Sequence, residues 1–244
     1  MPGVMLVTGG SRGIGAAIAT LAAGRGYDVC INYAHRADRA EEVAESVRAA
    51  GRRALVVQAD VASESDVESM FRRVDSGLGP LTVLVNNAGV VGAQTRFDAL
   101  TASEIKSMFE INVCGTIYCS REAIRRMSQK YSGAGGSIVN LSSAASRLGG
   151  AGRSVHYAAS KGAINSMTIG LARELAAEGI RVNAVSPGVI DTEIQPPGRV
   201  AEITPTLPMR RAGQALEVAN AVLWLASDEA SYVSGAILDV SGSR

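Results

Sequence analysis

A tyrosine and a lysine four positions apart, Tyr157 and Lys161, have the residue types and the spacing that suit acid–base chemistry. Apolar residues follow them at three- and four-residue intervals, which predicts a helix. On a helix this spacing places the phenol and the ammonium on one face. Free tyrosine has a pKa of about 10, and a neighbouring cation lowers that pKa by favouring the phenolate. We therefore expect Tyr157 to exchange protons near neutrality, with its pKa lowered by Lys161.

A hydroxyl group just upstream extends this arrangement. Ser142 and Ser143 follow a predicted strand at residues 137–141, and either hydroxyl can hydrogen-bond the oxygen that gains or loses the proton. Together these groups suit reduction of a carbonyl or oxidation of an alcohol. The tyrosine–lysine pattern also occurs by chance on helices in which the tyrosine packs and the lysine is solvated, so the interpretation depends on the surrounding elements.

A glycine-rich turn lies near the start of the chain, between a predicted strand at Val4–Val7 and helix-favouring residues 16–24. The turn and the residues that flank it read TGGSRGIG, from Thr8 to Gly15. Glycine permits close approach to a ligand, and a helix N-terminus offers unpaired N–H groups to an anion. The glycine order differs from the commoner G-x-G-x-x-G, and no Lys-Ser/Thr follows, which excludes a P-loop. The context predicts a dinucleotide site, with a glycine turn that binds no ligand as the alternative.

The end of the second predicted strand, Asp28–Tyr33, bears on the choice of dinucleotide. A carboxylate there would accept hydrogen bonds from the ribose of NAD. Tyr33 stands there instead, and Arg12 and Arg36 are placed to pair with a 2′-phosphate. The sequence therefore predicts NADP(H) in preference to NAD(H), and two solvated surface arginines are the alternative.

Polar or small residues also follow the third and fourth predicted strands. An aspartate there can accept from an adenine amino group or cap the next turn, and small residues let a flat nucleotide lie against the strand end. These residues are Asp60 and Val61 after strand 54–57, and Asn87, Ala88 and Gly89 after strand 81–85.

Strand and helix alternate along the whole chain, with further strands predicted at residues 180–186 and 236–240. A long helix begins at residue 101 and is expected to be irregular at Asn112, which is a poor helix former. Residues 190–213 contain four prolines and suggest a loop or lid. The alternation predicts one α/β domain over residues 1–244: a Rossmann-type, doubly wound parallel sheet of about seven strands with helices on both faces. Ligands of such sheets bind at the carboxyl ends of the strands, where every motif above falls.

Composition narrows the possible partners and compartments. The 24 Lys and Arg residues against 23 Asp and Glu give no charge bias towards nucleic acid or an anionic membrane. No signal peptide is apparent, and no apolar run approaches membrane-spanning length. The three cysteines lack metal-ligand spacing, so we predict no metal site and a cytoplasmic protein whose thiols are reduced.

Taken together, the motifs resemble the short-chain dehydrogenase/reductase family over essentially the full length. The residues that carry the resemblance are Thr8 to Gly15, Asp60, Asn86 to Gly89, Asn112, Ser143, Tyr157, Lys161, Pro187 and Gly188. The resemblance implies that Tyr157 is the general acid/base, that Lys161 lowers its pKa and binds the nicotinamide ribose, and that Ser143 orients the carbonyl. It also implies that Asn112 holds a water that relays protons to Lys161. The cofactor contacts it implies are Gly9, Ser11, Arg12, Gly13, Ile14, Gly15, Tyr33, Arg36, Asp60, Val61, Asn87, Ala88, Gly89, Tyr157, Lys161, Pro187, Gly188, Val189 and Thr192.

The chain departs from the family at one spacing. Ser143 lies fourteen positions before Tyr157, whereas the family commonly has thirteen, and Ala144 occupies that position. One inserted residue in the glycine turn at 149–152 would restore Ser143 to its place, and Ser142 is the less favoured alternative.

The resemblance leaves the substrate open. The chain is most similar to 3-oxoacyl-acyl-carrier-protein reductases and to glucose-dehydrogenase-like oxidoreductases. An acidic carrier protein would need a basic patch, for which Arg125, Arg126 and Lys130 are the candidates. The alternatives are a sugar 1-dehydrogenase and a non-catalytic NADP-binding sensor. The family also implies a homotetramer formed through helices 101–131 and 155–177 and the last strand.

Overall fold

Seven parallel strands form the main sheet of the computed structural model, which describes residues 3–195 and 198–244. In chain order, the strands of the described residues are β1 (Val4–Val7), β2 (Asp28–Tyr33), β3 (Ala54–Gln58), β4 (Leu81–Asn86), β5 (Gly136–Leu141), β6 (Ile180–Pro187), β7 (Ile190–Asp191), β8 (Gly213–Gln214) and β9 (Ile237–Val240). The main sheet has the order β3-β2-β1-β4-β5-β6-β9, and β7 pairs with β8. The chain direction across the sheet reverses at β1, which pairs with both β2 and β4, and ligands bind at such a switch point.

Helices cover both faces of the sheet, as predicted. They are α1 (Gly13–Gly24), α2 (Ala37–Ala49), α3 (Glu64–Gly77), α4 (Ala102–Phe109), α5 (Gly115–Met127), α6 (Ala145–Leu148), α7 (Val155–Leu175), α8 (Arg199–Ile203) and α9 (Ala215–Ala226). Two hydrophobic clusters lie on opposite faces. One includes Ile18 of α1 and Val222 of α9, and the other includes Phe71 of α3 and Leu175 of α7. Because helices cover both faces of the sheet, the strands are buried on both sides and consist mainly of consecutive hydrophobic residues.

The long helix predicted from residue 101 is interrupted where it was expected to be irregular. Thr101 and Glu104 form a capping box, in which the Thr101 N–H donates to Glu104 Oε2 at 2.8 Å. α4 then passes into a π-helical turn at Glu110–Cys114 before α5 begins. Asn112 lies in this turn and is 1% exposed.

The segment at residues 190–213 is more ordered than the predicted loop or lid. Its two ends are joined, because β7 pairs with β8 and the Gly213 N–H donates to the Val189 carbonyl at 2.9 Å. Between them lies α8, and Ile203 and Leu207 are buried. The predicted segment also includes Pro196 and Pro197, which lie outside the described residues. A lid motion of this segment stays a prediction.

The cysteines are free thiols without disulfide partners in the described part of the chain. Burial raises the pKa of Cys30 and of Cys119 to about 12, so both thiols are inert core groups. No cluster of metal-ligating side chains was found within residues 3–195 and 198–244. No described helix is long and apolar enough to cross a membrane.

Candidate active site

A cavity of about 740 Å³ opens at the carboxyl ends of the strands. Its lining includes every predicted site residue except Gly15 and Asn112. The predicted residues that line it are Gly9, Ser11, Arg12, Gly13, Ile14, Tyr33, Arg36, Asp60, Val61, Asn87, Ala88, Gly89, Ser143, Tyr157, Lys161, Pro187, Gly188, Val189 and Thr192. The fold thus brings together residues that are up to 183 positions apart in the sequence, from Gly9 to Thr192.

The glycine-rich loop forms one end of the cavity, at the N-terminus of α1. Gly9 and Gly13 have positive φ angles of 60° and 54°, which a side chain would strain. Gly15 lies behind the loop rather than on the cavity, and a Cβ there would collide with the Gly9 carbonyl oxygen. Gly15 therefore has a packing role, and its contact with the cofactor stays a prediction.

Three polar side chains fix this loop to the neighbouring strands. Thr8 Oγ1 accepts hydrogen bonds from the N–H groups of Asn87 and Ala88, both at 3.0 Å, and Asn87 Nδ2 donates to the Thr8 and Gly9 carbonyls at 2.9 Å. On the other side, Asn32 Oδ1 accepts from the Gly9 N–H at 3.1 Å. Sequence reasoning missed the role of Asn32, because an asparagine inside a strand matches no binding motif.

The two arginines expected at the 2′-phosphate lie on the rim of the cavity beside Tyr33. Arg36 makes a bidentate pair with Asp38, with Nε–Oδ1 and Nη2–Oδ2 distances of 3.0 and 2.8 Å. The hydrogen bond from Arg36 lowers the pKa of Asp38 to about 2. Arg12 lies 3.9 Å from Glu193, and both of these side chains are more than half exposed. Both arginines thus line the cavity, and each is paired with an exposed carboxylate that a phosphate could replace.

Asp60 adopts the turn-capping role that was one of its two expected roles. Its Oδ1 accepts from the Ala62 N–H at 2.9 Å. The carboxylate also lines the cavity, so an adenine contact stays a prediction.

Tyr157, Lys161 and Ser143 lie together where β5 ends and α7 begins. Lys161 is 5% exposed, its Nζ donates to the Leu141 carbonyl at 2.7 Å, and Nζ lies 5.9 Å from the centre of the Tyr157 ring. Burial lowers the pKa of Lys161 to about 8. The lysine is therefore held in place by a neutral carbonyl rather than by a carboxylate.

The pKa of Tyr157 moves in the opposite direction from the one predicted. Burial raises it, and a hydrogen bond with Ser143 offsets part of the increase. The prediction of a lowered pKa is therefore wrong for the structure described here, in which burial has the largest effect on the phenol. The reason is that the Lys161 ammonium is directed at Leu141, and that burial disfavours the charged forms of both side chains.

The two serines have separate roles. Ser143 lines the cavity, hydrogen-bonds Tyr157 and accepts from the Ala145 N–H at 3.1 Å. The hydroxyl of Ser142, which is 4% exposed, donates instead to Asn165 Oδ1 at 2.6 Å and so anchors α7. This geometry favours Ser143 as the hydroxyl that faces a substrate.

Asn112 supports the site from behind and does not line the cavity. Its Oδ1 accepts from the Val90 N–H at 2.8 Å, while Nδ2 donates to the Val90 carbonyl at 2.9 Å and to Ser160 Oγ at 3.1 Å. A Cβ at Gly89 would lie 3.1 Å from Asn112 Oδ1 and 3.6 Å from Lys161 Nζ. The glycine thus keeps open the space in front of Asn112 and Lys161. The relay of protons through a water at Asn112 stays a prediction.

The loop after β6 is fixed on both sides. The Gly188 N–H donates to the Val240 carbonyl at 3.0 Å, and the Ala144 N–H donates to the Pro187 carbonyl at 2.9 Å. Beyond this loop the cavity continues among side chains that the motifs did not predict: Leu148, Arg153, Ile194, Arg199, Ile203 and Arg244. These residues come from separate segments with no characteristic spacing, so no sequence signal identified them.

The candidate docking patch for a carrier protein lies away from the cavity. Arg125 pairs with Glu122 at 2.6 Å, and Arg126 pairs with Glu122 at 2.8 Å and with Asp75 at 2.9 Å. Both arginines adjoin Leu81, at the amino end of β4, whereas the cavity lies at the carboxyl ends. The patch is therefore partly neutralised and on the opposite edge of the sheet.

Comparison with known proteins places this site in a large group of oxidoreductases. A family model described as enoyl-(acyl carrier protein) reductase matches residues 9–242. The chain is 50% identical to the uncharacterized oxidoreductase YgfF of Escherichia coli, with 99% of both chains covered. It is 38% identical to the 3-oxoacyl-[acyl-carrier-protein] reductase FabG of Staphylococcus aureus, covering 97% of this chain and 96% of that protein. It is 41% identical to a cis-4-hydroxycyclohexanecarboxylate dehydrogenase of Sinomonas cyclohexanicum, covering 98% and 95%.

The solved structures to which this chain is similar include complexes with NADP and with NADPH. A short-chain dehydrogenase of Burkholderia cenocepacia in complex with NADP superposes with a TM-score of 0.91 at 39% identity, covering 98% of this chain and 96% of that one. A blue fluorescent protein from a metagenomic library, in complex with NADPH, gives a TM-score of 0.92 at 37% identity, covering 99% and 97%.

Proposed function

The chain belongs to the short-chain dehydrogenase/reductase family, and we propose that it interconverts a carbonyl and a secondary alcohol on a small molecule with NADP(H). The observation that carries the proposal is the placement of Ser143, Tyr157 and Lys161 on one side of a 740 Å³ cavity that has the glycine-rich loop at its other end. In the reductive direction, carbonyl, NADPH and one proton give alcohol and NADP⁺.

The residues of the cavity fit a dinucleotide phosphate. A Cβ at Gly9 would approach the Ala88 Cα to 3.0 Å, and one at Gly89 would fill the space before Lys161, so glycine keeps room for a ligand at both points. The N-terminus of α1 suits a pyrophosphate, and Arg12 and Arg36 suit a 2′-phosphate. When bound, NADPH supplies the hydride. The preference for NADP(H) over NAD(H) is part of this proposal, and its support is the position of Arg12 and Arg36 with no carboxylate at Tyr33.

We assign the proton transfer to Tyr157. Because burial raises its pKa, the phenol is protonated at neutral pH and can donate its proton to the substrate oxygen as the carbonyl carbon receives the hydride. Ser143 binds the same oxygen. Lys161, whose pKa is about 8, is largely charged at pH 7 and stabilises the phenolate that remains until solvent reprotonates it, through the proposed water at Asn112.

Three alternatives are less well supported. A sensor that only binds NADP(H) needs no proton donor, whereas Tyr157 and Ser143 are hydrogen-bonded to each other on the lining of the cavity. A sugar 1-dehydrogenase would need polar groups all around its substrate, whereas Leu148, Ile194 and Ile203 line that part of the cavity beside its arginines. A carrier-protein partner would have to use the neutralised patch on the opposite edge.

The test is an assay of NADPH oxidation by the purified chain against a panel of ketones, quinones, sugars and oxoacyl thioesters. We expect turnover with ketones, and tighter binding of NADPH than of NADH by calorimetry. Tight NADPH binding with no turnover on any member would favour the sensor, and equal dissociation constants for the two cofactors would contradict the preference.

We further propose that the chain forms a homotetramer in the cytoplasm. Exposed apolar side chains on α4, α5 and α7, namely Ile105, Ile117 and Ile169, support helix-mediated assembly, and α7 also carries Gly162 with open space around it. The free thiols suit a reducing compartment. Light scattering at micromolar concentration checks the mass, and a monomer would contradict the assembly.

A further inference from the structure

The end of the cavity beyond Ser143 combines apolar and cationic side chains. We call it the substrate end, defined by Leu148, Ile194, Arg199, Ile203 and Arg244. It is formed by three separate segments: α6, the segment that includes α8, and the residues after β9. Apolar sides suit an organic substrate, and the two arginines bear on which kind.

Arg199 begins α8 and is mostly buried. Its side chain is 19% exposed, and Nη1 lies 3.1 Å from Glu202 Oε1 one helical turn later. The Glu202 side chain is 67% exposed, so this ion pair lies largely in solvent and contributes little to stability. Arg199 can exchange that partner for an anion inside the cavity at small cost.

Arg244 lines the same end of the cavity as Arg199. Its main chain is held by Arg147, whose Nη2 donates to the Arg244 carbonyl at 3.3 Å and also pairs with Asp239 at 2.9 Å. Burial lowers the pKa of the Arg244 guanidinium, and the positive charge of Arg199 lowers it further. Within the described ranges, no aspartate or glutamate lies within 4.0 Å of that guanidinium. Two like charges therefore line the same end of the cavity, and within the described residues the one carboxylate paired with either of them, Glu202, is exposed.

The other cations of the cavity already have partners. Arg12 lies beside Glu193, Arg36 is paired with Asp38, and Arg153 Nε donates to Gln94 Oε1 at 2.5 Å. Lys161 donates to the Leu141 carbonyl. Within the described residues, Arg153, Lys161 and Arg244 thus have no carboxylate partner, whereas Arg12, Arg36 and Arg199 are each paired with an exposed carboxylate.

We propose that Arg199 and Arg244 bind a carboxylate of the substrate, so that the protein acts on oxo acids and hydroxy acids whose apolar body separates the two oxygen functions. A carboxylate between the guanidiniums would relieve their repulsion and accept paired N–H bonds from each. The apolar body would pack against Leu148, Ile194 and Ile203 while the carbonyl lies at Tyr157 and Ser143. This inference rests on the proposed function, since it places the substrate of the same site.

The first experiment compares matched ketones that differ only in charge: 3- and 4-oxocyclohexanecarboxylate, 5-oxohexanoate, and the carboxamide of each. We expect kcat/KM to be at least about tenfold higher for the acid than for its amide. Arg199→Gln and Arg244→Gln should each lower kcat/KM for the acids about tenfold or more and leave the amides within about twofold. The matched control is Arg72→Gln on α3, which removes an exposed arginine paired with Glu68 far from the cavity.

The second experiment measures binding without turnover. Calorimetry with NADP⁺ present compares cyclohexanecarboxylate with cyclohexanecarboxamide, and we expect tighter binding of the carboxylate that is lost in Arg199→Gln and Arg244→Gln. This readout holds even if no ketone is reduced, which would refute the proposed function alone. The inference would be overturned if acid and amide had equal kcat/KM in the first experiment and equal affinity in the second. It would also be overturned if both variants lost activity on the acids and on the amides to the same extent. A charge preference that survives in the double variant would also overturn it.

Discussion

Two parts of the cavity hold positive charge in different ways. The catalytic side, consisting of Ser143, Tyr157 and Lys161, is buried, and its lysine is bound by a backbone carbonyl. The adenosine rim, consisting of Arg12 and Arg36, is about half exposed, and its arginines are bound by carboxylates. One part therefore has pKa values moved by burial, and the other has charges that water and counter-ions screen.

The difference follows from what each part has to do. Burial keeps the Tyr157 phenol protonated and so able to donate a proton, and it brings the pKa of Lys161 close to the working pH. Binding a phosphate needs charges that are permanent and can be released from their partners, which exposed arginines provide. The predictions below test each half of this contrast.

The largest effect should come from Tyr157→Phe, which removes one oxygen and leaves the ring packed. General acid catalysis contributes about 10²–10⁴ in rate, so we expect kcat to fall at least that far with little change in melting temperature. Tyr131→Phe is the matched control, because that side chain is 54% exposed and lies away from the cavity. A variant that keeps a tenth of the activity would show that the proton comes from another group.

The same variant sharpens the assignment of pKa. The measurement is the phenolate absorbance of the unmodified protein minus that of Tyr157→Phe, recorded against pH without cofactor. We expect this difference to titrate with a midpoint above pH 10, because burial raises the pKa of Tyr157. Addition of NADP⁺ should lower that midpoint, since its nicotinamide carries a positive charge. A midpoint below 10 without cofactor would contradict the role of burial. Oxidation of an alcohol should speed up with rising pH, as the phenolate forms.

Lys161→Met should lower activity severely and raise stability. A lysine whose pKa is about 8 when folded and 10.5 when unfolded destabilises the folded protein below pH 8, and this penalty disappears between about pH 8 and 10.5. The fall in pKa corresponds to about 3 kcal/mol, and loss of the hydrogen bond to Leu141 offsets about 1 kcal/mol. We expect the free energy of unfolding at pH 7 to rise by about 2 kcal/mol in urea titrations. If the variant's gain in the free energy of unfolding were as large at pH 10 as at pH 7, this explanation would be wrong.

Ser143→Ala should lower kcat by about 10², the effect of removing one donor to a developing oxyanion. Ser142→Ala is the comparison, because its hydroxyl bonds Asn165 inside the protein. We expect the main effect of Ser142→Ala to be a lower melting temperature, and the main effect of Ser143→Ala to be a lower kcat. The reverse outcome would assign the substrate to Ser142 and overturn the alignment preferred for the glycine turn.

The smallest effects should arise at the rim. Arg36→Ala should weaken NADPH binding about tenfold and leave NADH binding within about twofold. Asp38→Asn should have the opposite sign and tighten NADPH binding a few-fold, because it removes the carboxylate that competes with the 2′-phosphate for Arg36. Calorimetry on both variants with both cofactors measures this, and NADPH affinity unchanged by Arg36→Ala would exclude the arginine from the cofactor site.

Prediction from the sequence succeeded where a motif lies within one strand and the turn after it. Local chain geometry places such residues at a strand end, so Gly9, Asn87 and Pro187 meet at the cavity as expected. The strands at Val4–Val7 and Asp28–Tyr33 have the bounds predicted for them.

Prediction from the sequence was weaker where the role of a residue depends on its burial or on packing between distant segments. The sign of the pKa change at Tyr157 depends on how completely it is buried, which spacing to Lys161 does not reveal. Asp60 had two possible roles, and only the folded turn shows that it caps Ala62. Arg199 and Arg244 belong to no motif, because their presence on one cavity depends on how the segment containing α8 and the residues after β9 pack.

The π-helical turn at Glu110–Cys114 makes the length of this helix as important as its composition. A π turn holds about one residue more than an α turn, which advances the phase of everything after it by about 100°. Deleting one residue there would restore a regular helix, but Met108 of α4 and Met127 of α5, both buried, could then no longer both face the core. Asn112 would also leave its place beside Val90. A homologue with a one-residue gap at this position is therefore expected to have rebuilt its core or lost its reaction, whatever its other motifs.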